Sequence, residues 1–596
     1  MDRSIHSDTS ASTALRLQFE CPFTDSAYRS DGFVGAWSPY YPLRVTSSTG
    51  ESSQAAHLHG PNWFVCSAVA RLPSGHRAKI HVDRSQDRAL AFRGYVVDPP
   101  LHQFSVPDEL WRYWGSGGGD RPNGVFAMAL VEGSANRLTL KTDAFGFSPL
   151  YYRITGDFVL FGTKPDFLVT DRAELDPLGA ATLMANNHPL GDRTLLRDIY
   201  RCPFGTALRF EGSVEAHHER WFTADDLPDP DQPLDDTRTS QAERAFNEAV
   251  RRVTALDYGP TNLPLTSGYD SRRILGALLD QQQSFSATTV RVYRNGGRDL
   301  DARCASELAQ RYGFDHRIVD LPAPHAYAED DALRCRELCA ETRMHDGWPP
   351  SLMRTLPAEP SVLVEGLLGD VLGYPGYRLE NADFYKNPAA DIELIADDVA
   401  HTLVHAYVAE PFLPGEKARE ELRQYLAPLA SKRNVAELAY MLLRQRRATA
   451  LWSQQLIAPE HLVASPYVDL DHICTVMAVR PQERCHAHLQ RLCLEQFHPE
   501  LAAVAGSHAI PADAIPVGAE GNRQRALACF RRLTRRLDST HNRGLLRERL
   551  TPLGRAVTAA SGLAPGHIQR WRWVVRPVCE TLLHDQSAPA VWRTAA

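Results

Sequence analysis

Between residues 265 and 272 the chain reads Leu-Thr-Ser-Gly-Tyr-Asp-Ser-Arg, directly after the apolar run Asn262-Leu263-Pro264-Leu265. Small residues after a buried strand let backbone N–H groups face an anion, and a following helix adds its positive end. The hydroxyls of Thr266, Ser267 and Ser271 can donate further bonds to phosphate oxygens. Asp270 repels phosphate on its own, but it has a role if it holds a Mg²⁺ ion that bridges to the phosphates. The plainer alternative is a tight left-handed turn that needs Gly268 for its geometry. The loop by itself leaves both readings open.

The elements around this loop have the order of a parallel α/β sheet. Ser240 precedes Glu243 at capping-box spacing, and Ala242, Ala245, Phe246, Ala249, Val250 and Val253 follow at helical intervals. A strand over 262–265, the loop, a helix from Arg272 to about Leu279, a strand from Ala287 to Val292 and a helix between Asp301 and Tyr312 come next. Strand, loop, helix, strand, helix is the pattern of parallel strands with crossover helices. Beyond about Asp391 the sequence is mostly helical.

The first two hundred residues read differently. Short apolar runs such as 124–130 and 158–161 are punctuated by Gly, Asn and Asp. Residues 136–140 and 151–153 are expected to be neighbouring strands, joined through the turn-rich 143–149. Packed antiparallel sheets follow. The acidic, proline-rich stretch between Asp225 and Asp236 resists regular structure, because proline removes donors and like charges repel. The expected division is therefore 1–222, a linker at 223–238, and 239–596.

Composition excludes several classes. A hydrophobic fraction of 43% with 23% charged residues is the balance of a soluble globular protein. A net charge of -7 and a pI near 6.4 argue against a non-specific nucleic-acid binder. Arginines do cluster late, at Arg531, Arg532, Arg535 and Arg536 and at Arg570, Arg572 and Arg576, in what reads as a solvated helix face. No run approaches the roughly 18 apolar residues that span a membrane, and the first twenty residues lack a signal-peptide core. Eleven cysteines, odd in number and scattered, read as reduced thiols of a cytoplasmic protein. Cys474, Cys485, His486, His488 and Cys493 lack the paired spacing of a metal site and read as helical.

The loop resembles the pyrophosphate-binding loop of the ATP-pyrophosphatase superfamily, as found in asparagine synthetases and β-lactam synthetases. Gly268, Asp270 and Ser271 fit that pattern, while Thr266 and Ser267 replace its usual Ser and first Gly. Asp301-x3-Ala305-x3-Ala309-x3-Gly313-x2-His316 looks like the family's next segment. Val362-Leu-Val-Glu-Gly-Leu-Leu-Gly-Asp370 is similar to its second strand-end motif, and 465–469, Ser-Pro-Tyr-Val-Asp, to a later one. Residues 126–130, 143–152 and 161–164 resemble the amidotransferase domain of asparagine synthetase, and 201–205 resembles its closing turn.

The resemblance implies an N-terminal Ntn-hydrolase-like antiparallel β-sandwich followed by an adenine-nucleotide α-hydrolase-like (PP-loop) synthetase domain with a helical C-terminal part. It implies ATP and Mg²⁺ as cofactors and Asp270, Ser271 and Asp370 as catalytic residues, the two aspartates holding the metal. The ATP site would take in Leu265, Thr266, Ser267, Gly268, Asp270, Ser271, Val290 and Gly366.

Several departures shape the expected activity. A working glutaminase of this kind needs a cysteine at the mature amino terminus, and Asp2 follows Met1. The family's glutamine-holding N-G-E reads Arg93-Gly94-Tyr95, so the domain is expected to have lost its glutaminase chemistry, and Cys21 is the one alternative nucleophile. Leu367 stands where relatives carry an acid or tyrosine. No lysine occurs after Lys432, so the family's late catalytic lysine has no equivalent; His508, an arginine such as Arg523, other groups or proton loss to solvent are the alternatives. β-Lactam synthetases and lasso-peptide cyclases share the glutaminase loss. The leading expectation is an AMP-forming ligase that closes a macrolactam in a lasso-type peptide precursor, with a precursor-processing protease as a candidate partner. The alternatives are amidation of a small carboxylate or sugar acid, and an inactive binding scaffold. Neither nucleic acid nor membrane is expected as a partner.

Overall fold

The computed structural model describes residues 15–19, 21, 32–47, 55–72, 75–83, 85–115, 119, 121–170, 176, 178, 179, 182, 188–291, 300–320, 356, 359–369, 372, 387–405, 415–448, 460–484, 487–504, 506 and 592–594. Asp370, Cys485, His486, His508, Arg523 and the two late arginine clusters lie outside the described residues.

Two seven-stranded antiparallel sheets build the amino-terminal half. In one, Arg88–Val97, Gly124–Glu132, Arg137–Thr142 and Thr206–Glu211 lie side by side. The other runs through Tyr151–Thr155, Phe158–Gly162, Phe33–Trp37 and Trp63–Leu72. Period-two alternation assigns the faces. Ala127, Ala129 and Val131 point inward against Trp37, Trp63 and Phe161 of the facing sheet. Phe126, Met128 and Leu130 point outward, under Leu110 and Trp114 of helix α1 (Pro107–Gly115). Small side chains on one inner face leave room for large rings on the other, which is how a two-layer core reaches close packing.

Residues 137–142 and 151–155 are both strands, but they belong to different sheets and are not neighbours as the sequence suggests. The buried carboxylate of Asp143 is the physical reason. It accepts N–H bonds from Phe126, Phe145, Phe147 and Ser148 at 2.9 to 3.3 Å, folding the link into a corner that carries the chain from one sheet to the other. Gly146 in that corner has φ +65°, open to glycine at no steric cost.

The second half contains one parallel sheet of five strands: β1 (Thr261–Pro264), β2 (Phe285–Arg291), β3 (Asp315–Asp320), β4 (Ser361–Val364) and β5 (His461–Ala464). Their order is β3-β2-β1-β4-β5. Strand order therefore reverses between β1 and β4, and open parallel sheets bind ligands outside the carboxyl ends of strands at such a switch point.

Helix α2 (Asp236–Thr254) begins a turn earlier than the Ser240 spacing indicates. Asp235, from the acidic stretch, caps it by accepting the Arg238 N–H at 2.8 Å. Glu243 is not part of a capping box, because it is buried and its carboxylate pairs with Arg273 at 2.8 Å. The acidic stretch also holds a short 3₁₀ turn, Ala224–Asp226, closed by a capping box between Thr223 and Asp226. Helices α3 (Tyr269–Asp280) and α4 (Leu300–Tyr312) follow β1 and β2. No helix among the described residues is long and apolar enough to cross a membrane.

The halves share one apolar core. Tyr95, Phe104, Phe145 and Phe204 from the sandwich join Leu265, Leu367, Leu368 and Tyr467 from the parallel-sheet half in a single buried cluster. Buried cations pin the seam. Arg446 donates to Asp192 at 2.7 Å and to the Cys202 carbonyl, Arg447 to the Gly191 carbonyl at 2.5 Å, and Lys432 to the Leu227 carbonyl at 2.7 Å.

Candidate active site

The carboxyl end of β1 delivers Leu265, fully buried, whose N–H donates to the Thr288 carbonyl and whose carbonyl accepts the Thr289 hydroxyl at 2.7 Å. The chain then turns through Thr266, Ser267 and Gly268 into α3. Gly268 occupies the N-cap position, and no side chain caps the helix. The positive end of the helix dipole is directed at the loop.

Within the loop the hydroxyls of Thr266 and Ser271 lie 3.0 Å apart, Ser271 Oγ accepts the Thr266 N–H at 3.1 Å, and Thr266 Oγ1 accepts the Gly268 N–H at 3.1 Å. Ser267 is placed differently from its neighbours. Its N–H and its hydroxyl both donate to Asp301 Oδ1, at 2.9 and 2.6 Å, and the residue is fully buried. Asp301, in the first turn of α4, is a buttress of the loop that sequence reasoning gave no role of its own. The cue was available in its position at the start of the helix after β2, where a carboxylate faces back toward the strand ends. Val290, expected in the nucleotide site, is half-buried near the end of β2 and pairs with Val319.

The second segment approaches from β4. Residues 365–369 form a turn closed by a bond from Gly369 N–H to the Gly366 carbonyl at 3.0 Å. Leu368 has φ +72°, a left-handed conformation that a bulky non-glycine residue adopts at a cost of about 1–3 kcal/mol, and such strain clusters at functional sites. Two glycines bring the turn against Asp270. A Cβ at Gly366 would lie 3.2 Å from Asp270 Cβ, and one at Gly369 would lie 2.5 Å from Asp270 Cγ. The two segments singled out in the sequence thus meet at the switch point of the sheet, with Asp270 between them. Tyr467, from the third segment, donates its hydroxyl to the Asp270 carbonyl at 3.0 Å. Asp469, in the same segment, caps helix α5 (Leu470–Met477) and pairs with Arg252 at 3.0 Å, a structural part.

The carboxyl-terminal region also reaches the loop. Arg272, 2% exposed, donates to the carbonyls of Leu501 and Val504 at 2.9 and 3.0 Å. A Cβ at Gly506 would lie 2.5 Å from the Ser267 carbonyl. Gly506 therefore lies against the loop.

Elsewhere, Cys21 is buried with its sulfur 3.9 Å from that of Cys66, and the contact with Cys21, together with burial, pushes the Cys66 thiol well above its ordinary range. Burial raises the Cys474 thiol and takes Cys493 up to about 12. Among the described residues no group of three or more His, Cys, Asp or Glu side chains could hold a metal ion.

Residues 108–222 match the family model described as a glutamine amidotransferase domain. No curated protein matches the chain. Two solved structures align with it at 10% identity. One is the glutamine phosphoribosylpyrophosphate amidotransferase from B. subtilis complexed with ADP and GMP, covering 63% of this chain and 73% of that one with a TM-score of 0.20. The other is a structure of the allosteric regulatory enzyme of purine biosynthesis, covering 63% and 72% with a TM-score of 0.19. Scores this low bear on neither fold nor chemistry. The match lies on the antiparallel sandwich and marks residues 108–222 as part of a domain of the glutamine amidotransferase type.

Proposed function

We propose that this chain is an ATP-dependent amide ligase that forms AMP and pyrophosphate, with an amidotransferase-type domain over 1–222, a connection at 223–238 and a PP-loop ligase domain over 239–596. The observation that carries the reading is the placement of Asp270 in the first turn of α3, packed against the glycine turn at 366–369, at the switch point of a parallel sheet.

In the proposed reaction a substrate carboxylate attacks the α-phosphorus of ATP and pyrophosphate leaves. An amine then attacks the acyl adenylate, loses its proton and displaces AMP. The chain supplies chiefly position and electrostatics. The α3 amino terminus would face the pyrophosphate, with the Thr266 and Ser271 hydroxyls beside it. Mg²⁺ would supply charge neutralisation to the departing pyrophosphate. A hard oxygen donor in a cradle that a Cβ would fill fits such an ion, and Asp270 with Asp370 are the residues that would hold it.

The substrate we favour is a peptide closing a macrolactam through its own amine and a side-chain carboxylate. The buried Cys21 supports an amine source other than glutamine, since an enclosed thiol makes a poor nucleophile. The test is pyrophosphate release from Mg–ATP with precursor peptides and small carboxylates offered in turn, followed by product masses. A peptide lighter by one water supports the macrolactam. Release with a small carboxylate alone moves the substrate to that class, and silence with every carboxylate overturns the ligase reading.

A further inference from the structure

Gly94 and Tyr95 lie on the strand Arg88–Val97 of the amino-terminal half, yet both are tied to the ligase-side strand β5 or to the residue that follows it. The Tyr95 ring is 1% exposed, and its hydroxyl accepts the N–H of Ser465 at 3.0 Å. Gln103 bridges the other residue. Its Oε1 accepts the Gly94 N–H at 3.2 Å, and its Nε2 donates to the His461 carbonyl at 3.4 Å. One strand of the sandwich is thereby bonded to the first residue of β5 and to the residue just past its end.

Ser465 passes the constraint onward. Its hydroxyl donates to the Leu367 carbonyl at 2.9 Å, inside the strained turn that packs on Asp270. The Glu365 N–H donates to the Ala464 carbonyl at 3.0 Å, so the same turn is tied to β5 twice. A buried aromatic serving only as filling has no use for a hydroxyl at this depth, since burying one without a partner is unfavourable. Here the hydroxyl is the acceptor for a strand-end N–H that no sheet neighbour takes.

We propose that Tyr95 is a positioning residue of the ligase site: the amidotransferase-type domain sets the Asp270-facing turn through the chain Tyr95–Ser465–Leu367. This gives the domain a role that needs neither cysteine nor glutamine. The inference rests on the ligase reading for its functional consequence, while its structural part stands apart from it. Burial, with the nearby charges of Asp469, Asp143 and Glu365, pushes the Tyr95 hydroxyl above its ordinary range and keeps it protonated.

The test uses the full chain and three variants, Tyr95→Phe, Ser465→Ala and the double change. Hydrogen–deuterium exchange of the ligand-free protein is read over 361–369 and 461–465, and affinity for Mg–α,β-methylene-ATP is read by calorimetry. Each single variant is expected to speed exchange at 365–369 and to weaken nucleotide binding about tenfold, the size of one buried hydrogen bond. The double variant is expected to be no worse than either single, because both cut one chain. Melting temperatures that stay close to wild type separate this from general loosening. Unchanged exchange at 365–369 in folded Tyr95→Phe overturns the proposal whether or not nucleotide binds. A wild-type protein that fails to bind the nucleotide sinks the ligase reading instead and leaves the exchange result to decide the strut. If Tyr95→Phe does not fold, Ser465→Ala, which keeps the tyrosine bond, decides in the same way.

Discussion

The Asp270 side chain occupies the space that any side chain at position 369 would need: a Cβ on Gly369 would come within 2.5 Å of Asp270 Cγ and 2.7 Å of its Cβ. The conflict reaches the base of the side chain, so a rotation of the carboxylate alone does not relieve it. Gly369→Ala is therefore expected to displace Asp270 and lower Mg–ATP-dependent pyrophosphate release about a hundredfold, the scale of a misplaced group at a reacting centre. Gly366→Ala, with 3.2 Å of clearance, is expected to have a milder effect. Equal activity of Gly369→Ala and wild type would contradict the placement.

Asp270→Ala and Asp370→Ala are each expected to abolish ATP consumption, a loss of about a thousandfold, since metal–phosphate contacts supply several kcal/mol at such sites. Circular dichroism and melting should match wild type. An Asp270→Ala protein that still releases pyrophosphate removes the basis of the assignment.

Asp301 holds Ser267 by two donors, and Asp301→Ala leaves a buried N–H and hydroxyl without that acceptor. One buried donor left unsatisfied costs about 1–3 kcal/mol. The expected result is a KM for ATP raised about tenfold with kcat little changed, because in the proposed reaction the loop would hold the phosphates before and during the chemical step alike. A pure kcat effect would place Asp301 in the chemistry instead.

Arg446 is fully buried and spans Asp192, the Cys202 carbonyl and the Tyr425 hydroxyl. Arg446→Ala is expected to cost about 3 kcal/mol, read as a lower urea midpoint, because it strands a carboxylate and a carbonyl at the seam. Arg446→Lys should recover only part, since one ammonium cannot reproduce the fork.

Acid should loosen the fold from near neutrality downward. Burial pushes His188 and His472 down to about 3. At Glu243 burial raises the carboxyl, but Arg273 and His498 outweigh it and leave it at about 2. The unfolded chain binds these protons more readily than the folded one, so all three groups stabilise the fold at neutral pH. The histidine contribution is lost as pH falls from about 6.5 toward 3, and the Glu243 contribution as it falls from about 4.5 toward 2. Urea midpoints should be lower at pH 5 than at pH 7. His472→Phe, which takes up no proton, should flatten that difference; an equally steep dependence would assign it elsewhere.

Period-two alternation, the apolar strands around 263 and 363 and the loop at 266–271 were legible because local pattern dictates them. So was the helix register after the loop. What local pattern does not encode is pairing between distant segments. Residues 137–142 and 151–155 look like partners until the Asp143 corner sends them to separate sheets. Ser240 and Glu243 have capping-box spacing, but Arg273, thirty residues on, claims the glutamate. The Asp301 buttress and the Arg272 grip on residues 501–504 are likewise contacts at long range, which spacing does not reveal. The approach of 366–369 to Asp270 was implied only once the two strands were taken as adjacent.

A core that runs unbroken from Phe145 to Leu367 also bears on what the chain can discard. Catalytic side chains can be exchanged one at a time, but a layer whose inner face is the wall of its neighbour cannot be removed without laying bare a greasy surface. A chain built this way keeps the whole sandwich for as long as the parallel-sheet half keeps its fold, whatever becomes of the sandwich's chemistry. Expressed alone, residues 239–596 should collapse into aggregates rather than fold as a smaller enzyme.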